Sequence, residues 1–153
     1  MMRYRPALNP VIAATVAVAA LLTAGCSLLR PDAHLVAFST RMTGANEVPP
    51  AATNGTGTVD AVFDKNTNLF RWKLSYSGLS GPATAGHFHG PAAIGANAGV
   101  ALAFKGPVTS PLEGRATLSA AQAADLLAGR WYANIHTAAH PGGEIRGQMI
   151  ERR

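Results

Sequence analysis

From residue 35 onward the chain is written mainly in a period of two. Leu35–Met42 alternates apolar with polar positions and predicts a first strand. Gly44–Gly57 follows with Pro49-Pro50 and Asn54-Gly55, dipeptides that restrict the backbone to turns, so this stretch is expected to be a loop. Thr58–Asp64 and Leu69–Ser77 are β-prone runs joined by the polar turn Lys65-Asn66-Thr67-Asn68, the pattern of a hairpin. In the second run Phe70, Trp72, Leu74 and Tyr76 fall on one face and Arg71, Lys73 and Ser75 on the other, which is a strand with one dry side. Ala85–Gly90, Val100–Lys105 and Leu112–Leu118 are shorter strand candidates between turns rich in Gly, Pro and Ala.

The period changes once. Ser119–Ala128 reads as a helix: Ser119 and Gln122 form a capping box, Leu126 and Leu127 supply the apolar side, and Gly129 takes the left-handed position that ends it. Arg130–Thr137 and Glu144–Glu151 then return to strands around the turn His140-Pro141-Gly142-Gly143. The pattern predicts an all-β domain over residues 35–151, an antiparallel, Greek-key-like sandwich or barrel of about eight strands with one short helix at 119–128.

The first 25 residues follow another rule. Arg3 and Arg5 precede the apolar run Val11–Leu22, the layout of a secretory leader, and the run is shorter than the roughly 18–20 residues a membrane-crossing helix needs. Its end, Leu22-Thr23-Ala24-Gly25-Cys26-Ser27, resembles the lipobox of bacterial lipoproteins, with Thr23 standing where that motif usually has Leu. The resemblance implies cleavage after Gly25, a lipid anchor on Cys26, a tether over residues 26–34, and attachment to the cell membrane or outer membrane facing the periplasm or cell surface. Ser27 after the cysteine, instead of Asp, resembles lipoproteins sorted to an outer membrane.

Removing that leader leaves 128 of the 153 residues, enough to bury one core without staples. Cys26 is the sole cysteine, so no intrachain disulfide forms. The charge of +5 comes from scattered Lys and Arg, not from a clustered basic face, which argues against a nucleic-acid partner. Ser80, Ser110 and Ser119 lack the elbow or paired base of a nucleophile, and Gly55-Thr56-Gly57 is too short to cradle a phosphate.

Four segments in order carry a family resemblance: Asn46-Glu47-Val48-Pro49-Pro50, Gly86-His87-Phe88-His89-Gly90-Pro91, Trp131-Tyr132-Ala133-Asn134-Ile135-His136-Thr137, and Pro141-Gly142-Gly143-Glu144-Ile145-Arg146-Gly147-Gln148. They resemble motifs of the CHRD (chordin-type) family and together span roughly Leu35–Ile150. The resemblance implies an extracytoplasmic β-sandwich, of the kind found as single-domain exported bacterial proteins, without implying an activity. The morphogen binding of chordin itself is not carried over.

The histidines are the candidate chemistry. His87 and His89 flank Phe88, so on a strand both imidazoles point one way while Phe88 points to the core. His136 shares a face with Tyr132 and Asn134, opposite Trp131, Ala133 and Ile135, and His140 sits in the following turn within reach of the same place. Imidazoles without thiols suit copper first, or zinc. His87, His89, His136 and His140 are therefore the expected metal ligands, with Asn134, Glu144 and Arg146 supporting them from behind. Glu144, Arg146 and Gln148 alternate on one face, which is first expected to be a solvated strand face; the other readings are that Glu144 pairs with Arg146 or orients His136. Glu47, in its rigid loop, is open to two readings: an acceptor for loop hydrogen bonds, or the lining of a ligand site. His34 lies beside the tether and carries no such expectation.

The leading expectation is a non-enzymatic, membrane-anchored envelope protein that binds a transition metal. A protein-interaction or structural module with an envelope partner, its histidines serving only loop hydrogen bonds, is the alternative. A metalloenzyme whose site is similar to the copper site of copper/zinc superoxide dismutase ranks third, because that enzyme's zinc loop, disulfide and bridging histidine have no counterparts here.

Overall fold

Alternation places the core. In strands β1 (Leu35–Thr43), β2 (Thr56–Asp64) and β3 (Leu69–Ser77) of the computed structural model, Val59, Ala61 and Phe63 lie directly opposite Leu74, Trp72 and Phe70, all buried. Asp60, Arg71 and Lys73 occupy the wet face between them. The β2–β3 hairpin turns because Asp64 Oδ1 accepts the backbone N–H of Asn66 at 2.8 Å and of Thr67 at 3.4 Å, and because Asn68 adopts the left-handed region at φ 55°. The structure describes residues 32–152; the leader, the lipobox, Cys26 and the first part of the expected tether lie outside the described residues. Among the described residues no helix is long and apolar enough to cross a membrane.

Six further strands follow: β4 (Ala83–His89), β5 (Val100–Ala103), β6 (Leu112–Thr117), β7 (Tyr132–Thr137), β8 (Ile145–Gln148) and β9 (Ile150–Glu151). All join one antiparallel sheet in the order β5-β4-β7-β8-β1-β2-β3-β6, with β9 added to β1. The domain is thus all-β, as the alternation predicts. Nine described strands stand where about eight were expected, because Glu144–Glu151 divides at Met149: that residue is fully buried and its N–H goes to Trp131 O, so β8 pairs with β7 and β9 with the far part of β1. Val100–Lys105 is shorter than expected, ending at Ala103.

The sheet curls so that strands distant in its order face one another. Phe70 and Trp72 of β3 meet Phe88 of β4 edge-on at 5.2 and 5.3 Å, and Phe70 meets Trp131 beside β7 at 6.0 Å, geometries that add to the value of burying such large rings. Both tryptophans belong to this core. Helix α1 (Ala120–Leu127) seals one end through Ala123 and Leu126, and it begins with the expected capping box, Gln122 N–H to Ser119 Oγ at 3.2 Å and Ser119 N–H to Gln122 Oε1 at 2.9 Å.

The other face of β4, β7 and β8 departs from a simple wet side. Tyr132, Asn134 and Arg146 point away from the core yet are 2–3% exposed, because loops lie over them. The β4–β5 connection, residues 90–99, is fastened there by Arg146 to Asn97 Oδ1 and Ala96 O, by Gln148 Nε2 to Ala92 O at 3.1 Å, and by Asn97 Nδ2 to Val48 O at 2.8 Å in the Gly44–Gly55 loop. This second, polar interior holds the candidate site.

Candidate metal centre

Register brings the three histidines together. His89 of β4 lies opposite Tyr132 of β7, His87 opposite Asn134, and Ala85 opposite His136, so His87, His89 and His136 share one patch of the loop-covered face, and Phe88 between them is fully buried in the core. One ligand atom from each lies within 4.8 Å of the others. His87 Nδ1 is 3.1 Å from His136 Nε2, and the ring centroids are 5.0 Å apart.

The outer contacts of two rings settle their tautomers. His89 Nδ1 is 2.9 Å from Ala98 O and His136 Nδ1 is 2.9 Å from Pro141 O. A carbonyl only accepts, so both Nδ1 atoms carry their hydrogen and donate it, and in the neutral rings both Nε2 atoms present lone pairs. Those lone pairs converge: His89 Nε2 and His136 Nε2 lie 3.1 and 3.0 Å from the same atom, Asn134 Oδ1. An imidazole that donates one ring N–H to a backbone carbonyl and turns the other nitrogen inward is the arrangement found in metal-ligating histidines.

Electrostatics favours the neutral forms of His87 and His89. Burial lowers the pKa of His87, and the neighbouring His136 and His89 lower it further. Burial likewise lowers that of His89, helped by His136 and Arg146 and opposed by the hydrogen bonds to Ala98 and Asn134. His89 also stacks flat on Tyr132, with planes 3° apart and centroids at 4.9 Å, while the Arg146 guanidinium lies 3.4 Å from the centre of the same Tyr132 ring. Arg146 thus fixes the site indirectly, holding Tyr132 and the loop whose Ala98 carbonyl orients His89.

Two expected members lie elsewhere. His140 remains in its turn, where its N–H goes to Thr137 O and its carbonyl receives Gly143 N–H; it lines a cleft with Pro49 and Pro50 and does not join the group of three. Glu144 neither pairs with Arg146 nor touches His136, whose orienting acceptor is Pro141 O instead. Its fully buried carboxylate accepts from Thr53 Oγ1 at 2.6 Å, Ser80 N at 2.7 Å, Ser80 Oγ at 2.7 Å and Thr137 Oγ1 at 2.6 Å. The physical reason is donor supply: hydroxyls from three segments meet at the head of β8 and solvate that charge locally, while Arg146 is drawn to the 90–99 loop. Burial acts to raise the Glu144 pKa, and the hydrogen bonds from Thr137, Thr53 and Ser80 prevail, holding it at about 2.

Glu47 takes the opposite course. It is 6% exposed, its Oε1 has no hydrogen-bond partner among the described residues, and burial pushes its pKa to about 7 against the pull of Arg146 and the Val48 N–H. Gly143, at φ 131°, makes room for it: a Cβ there would stand 2.5 Å from Glu47 Oε1 and 3.0 Å from Asn134 Nδ2. The loop contacts, the stacking of Tyr132 on His89 and the hydroxyls around Glu144 were not legible beforehand, because each partner is brought in by sheet register or by a loop from a distant part of the chain.

Residues 38–149 match the family model described as the CHRD domain, which covers all the strands named above except the C-terminal β9 and the first residues of β1. Searches of the curated proteins and of the solved structures find no match to the chain.

Proposed function

The chain belongs to the CHRD-domain family, and on that footing we propose that it is a non-enzymatic envelope protein that binds one transition-metal ion, copper before zinc, through His87, His89 and His136. The observation that carries this reading is the pair of inward Nε2 lone pairs, each fixed by an outward Nδ1–H bond to a backbone carbonyl, beside a third imidazole nitrogen at 3.1 Å. Donors about 2.0–2.1 Å from a shared ion stand roughly 3.3 Å apart in tetrahedral geometry and roughly 2.9 Å apart in square geometry, so 3.1 Å fits an ion with little rearrangement. An all-imidazole side-chain set accepts both copper and zinc, and copper has the higher place in the affinity order. Sequestration or delivery of copper outside the cytoplasm is the role that suits it, since thiol sites are prone to oxidation there.

The test is a calorimetric titration with cupric and zinc ions of the full-length chain carrying Cys26→Ser, which removes the one competing thiol. One-to-one binding, tighter for copper, is expected. Absence of binding overturns the metal reading and leaves an interaction module.

Anchoring through Cys26 is part of the same proposal and rests on the leader and the lipobox resemblance. Cells producing the unaltered chain are expected to retain it in the membrane fraction, and the Cys26→Ser chain to be released. Retention of that variant points to an uncleaved leader helix as the anchor in place of the lipid.

A further inference from the structure

We propose that the side-chain carbonyl of Asn134 is the fourth ligand of the ion held by His87, His89 and His136, which makes the centre a three-nitrogen, one-oxygen site suited to cupric and zinc ions. This inference rests on the metal reading above and specifies the donor that reading lacks.

The distances carry it. Asn134 Oδ1 is 3.1 Å from His89 Nε2 and 3.0 Å from His136 Nε2, and His136 Nε2 is 3.1 Å from His87 Nδ1. Three separations near 3 Å, with the histidine ligand atoms all within 4.8 Å of one another, approach those of donors around one small ion, and a small movement of the rings brings each to about 2 Å from it. The hydrogens carry it further. With the Nδ1–H groups of His89 and His136 committed to Ala98 O and Pro141 O, both Nε2 atoms are acceptors in the neutral rings, and an amide oxygen is an acceptor as well. In that state His89 Nε2 and His136 Nε2 both present lone pairs to Asn134 Oδ1, whose residue is 2% exposed, while His87 Nδ1 stands 3.1 Å from His136 Nε2. Acceptors held this close to one another are relieved by a cation between them.

The orientation of the amide agrees. Its Nδ2 lies on the side of Gly143, within 3.0 Å of where a Cβ there would stand, and that same point is 2.5 Å from the unpartnered Glu47 Oε1. An oxygen donor favours the harder divalent ions, whereas a soft cuprous ion is satisfied by imidazoles alone.

The experiment compares the Cys26→Ser chain with the same chain carrying Asn134→Leu or Asn134→Asp, using competition titrations with zinc, cupric and cuprous ions and electron paramagnetic resonance of the cupric form. Leucine preserves volume without a donor; aspartate preserves the oxygen. The expected result is that Asn134→Leu weakens zinc and cupric binding by roughly 10- to 100-fold and changes the cupric spectrum. Cuprous binding is expected to stay unchanged, and Asn134→Asp to bind zinc at least as tightly as the parent. If Asn134→Leu binds like the parent, or if leucine and aspartate weaken binding alike, Asn134 only positions the rings and the proposal is overturned. If the parent itself binds no ion, the metal reading fails first and takes this inference with it.

Discussion

The chain carrying His87→Ala and His89→Ala is expected to take up neither copper nor zinc at concentrations expected to saturate the unaltered chain. Two of the three imidazoles disappear, and His136 alone remains, tied to Pro141 O and Asn134. The fold is expected to survive, because neither ring belongs to the apolar core: Phe88 between them supplies the packing of β4. Losing the His89 bond to Ala98 and its stack on Tyr132 is expected to cost about 1–2 kcal/mol. Metal then becomes visible as stability. An ion at 100 times its dissociation constant stabilises the native state by about 2.7 kcal/mol, so metal raises the melting temperature of the unaltered chain and leaves that of the double variant unmoved. Thermal melts with and without zinc check this. An equal metal-induced rise in both places the ion elsewhere.

The Glu144→Ala chain is expected to lose roughly 2–4 kcal/mol of unfolding free energy, the cost of leaving several buried hydrogen-bond donors without their shared acceptor. Alanine removes the acceptor that Thr53, Ser80 and Thr137 share, leaving three hydroxyls and one backbone N–H facing an apolar methyl. Urea denaturation reads the loss, and a change below about 1 kcal/mol contradicts the role assigned to the carboxylate. The same group predicts a pH dependence. Its carboxyl sits at about 2 in the folded chain against 4.5 when unfolded, so its contribution is complete above 4.5 and is lost as pH falls towards 2. The loss is on the order of 3 kcal/mol, and Glu144→Gln removes this pH dependence. Glu47 acts in the opposite sense: with a folded value of about 7, it holds a proton that the unfolded chain releases, and its contribution falls as pH rises from 4.5 to 7.

Much of the scaffold was legible residue by residue. The β2–β3 hairpin follows from Phe70, Trp72 and Leu74 alternating with Arg71 and Lys73, and the helix from Ser119, Gln122 and Gly129, since these are short-range rules in which each residue's neighbours are known. His87, Phe88 and His89 were separable into site and core on the same basis, and so was the face shared by Tyr132, Asn134 and His136. His140 and Glu144 were not, because a turn residue and a residue at the head of a strand take their direction from whatever donors surround them. For Glu144 those donors come from positions 53, 80 and 137.

What the sequence by itself determined is the β class, the order of its elements, the set of four histidines from which the cluster draws its three and the family motifs that carry them, all consequences of periodicity and local chemistry. What only the tertiary structure decided is the meeting of β4 with β7, the loop that turns an outward face into a polar interior, the carbonyls that set the histidine tautomers, and the place of Asn134 among them. Antiparallel register is fixed jointly by every pair of strands in the curled sheet, and a register slip of one residue would turn each of these side chains to the opposite face. The meeting of His87, His89, His136 and Asn134 is therefore a property of the assembled sheet, to which the spacing within any single strand contributes only the direction of its side chains.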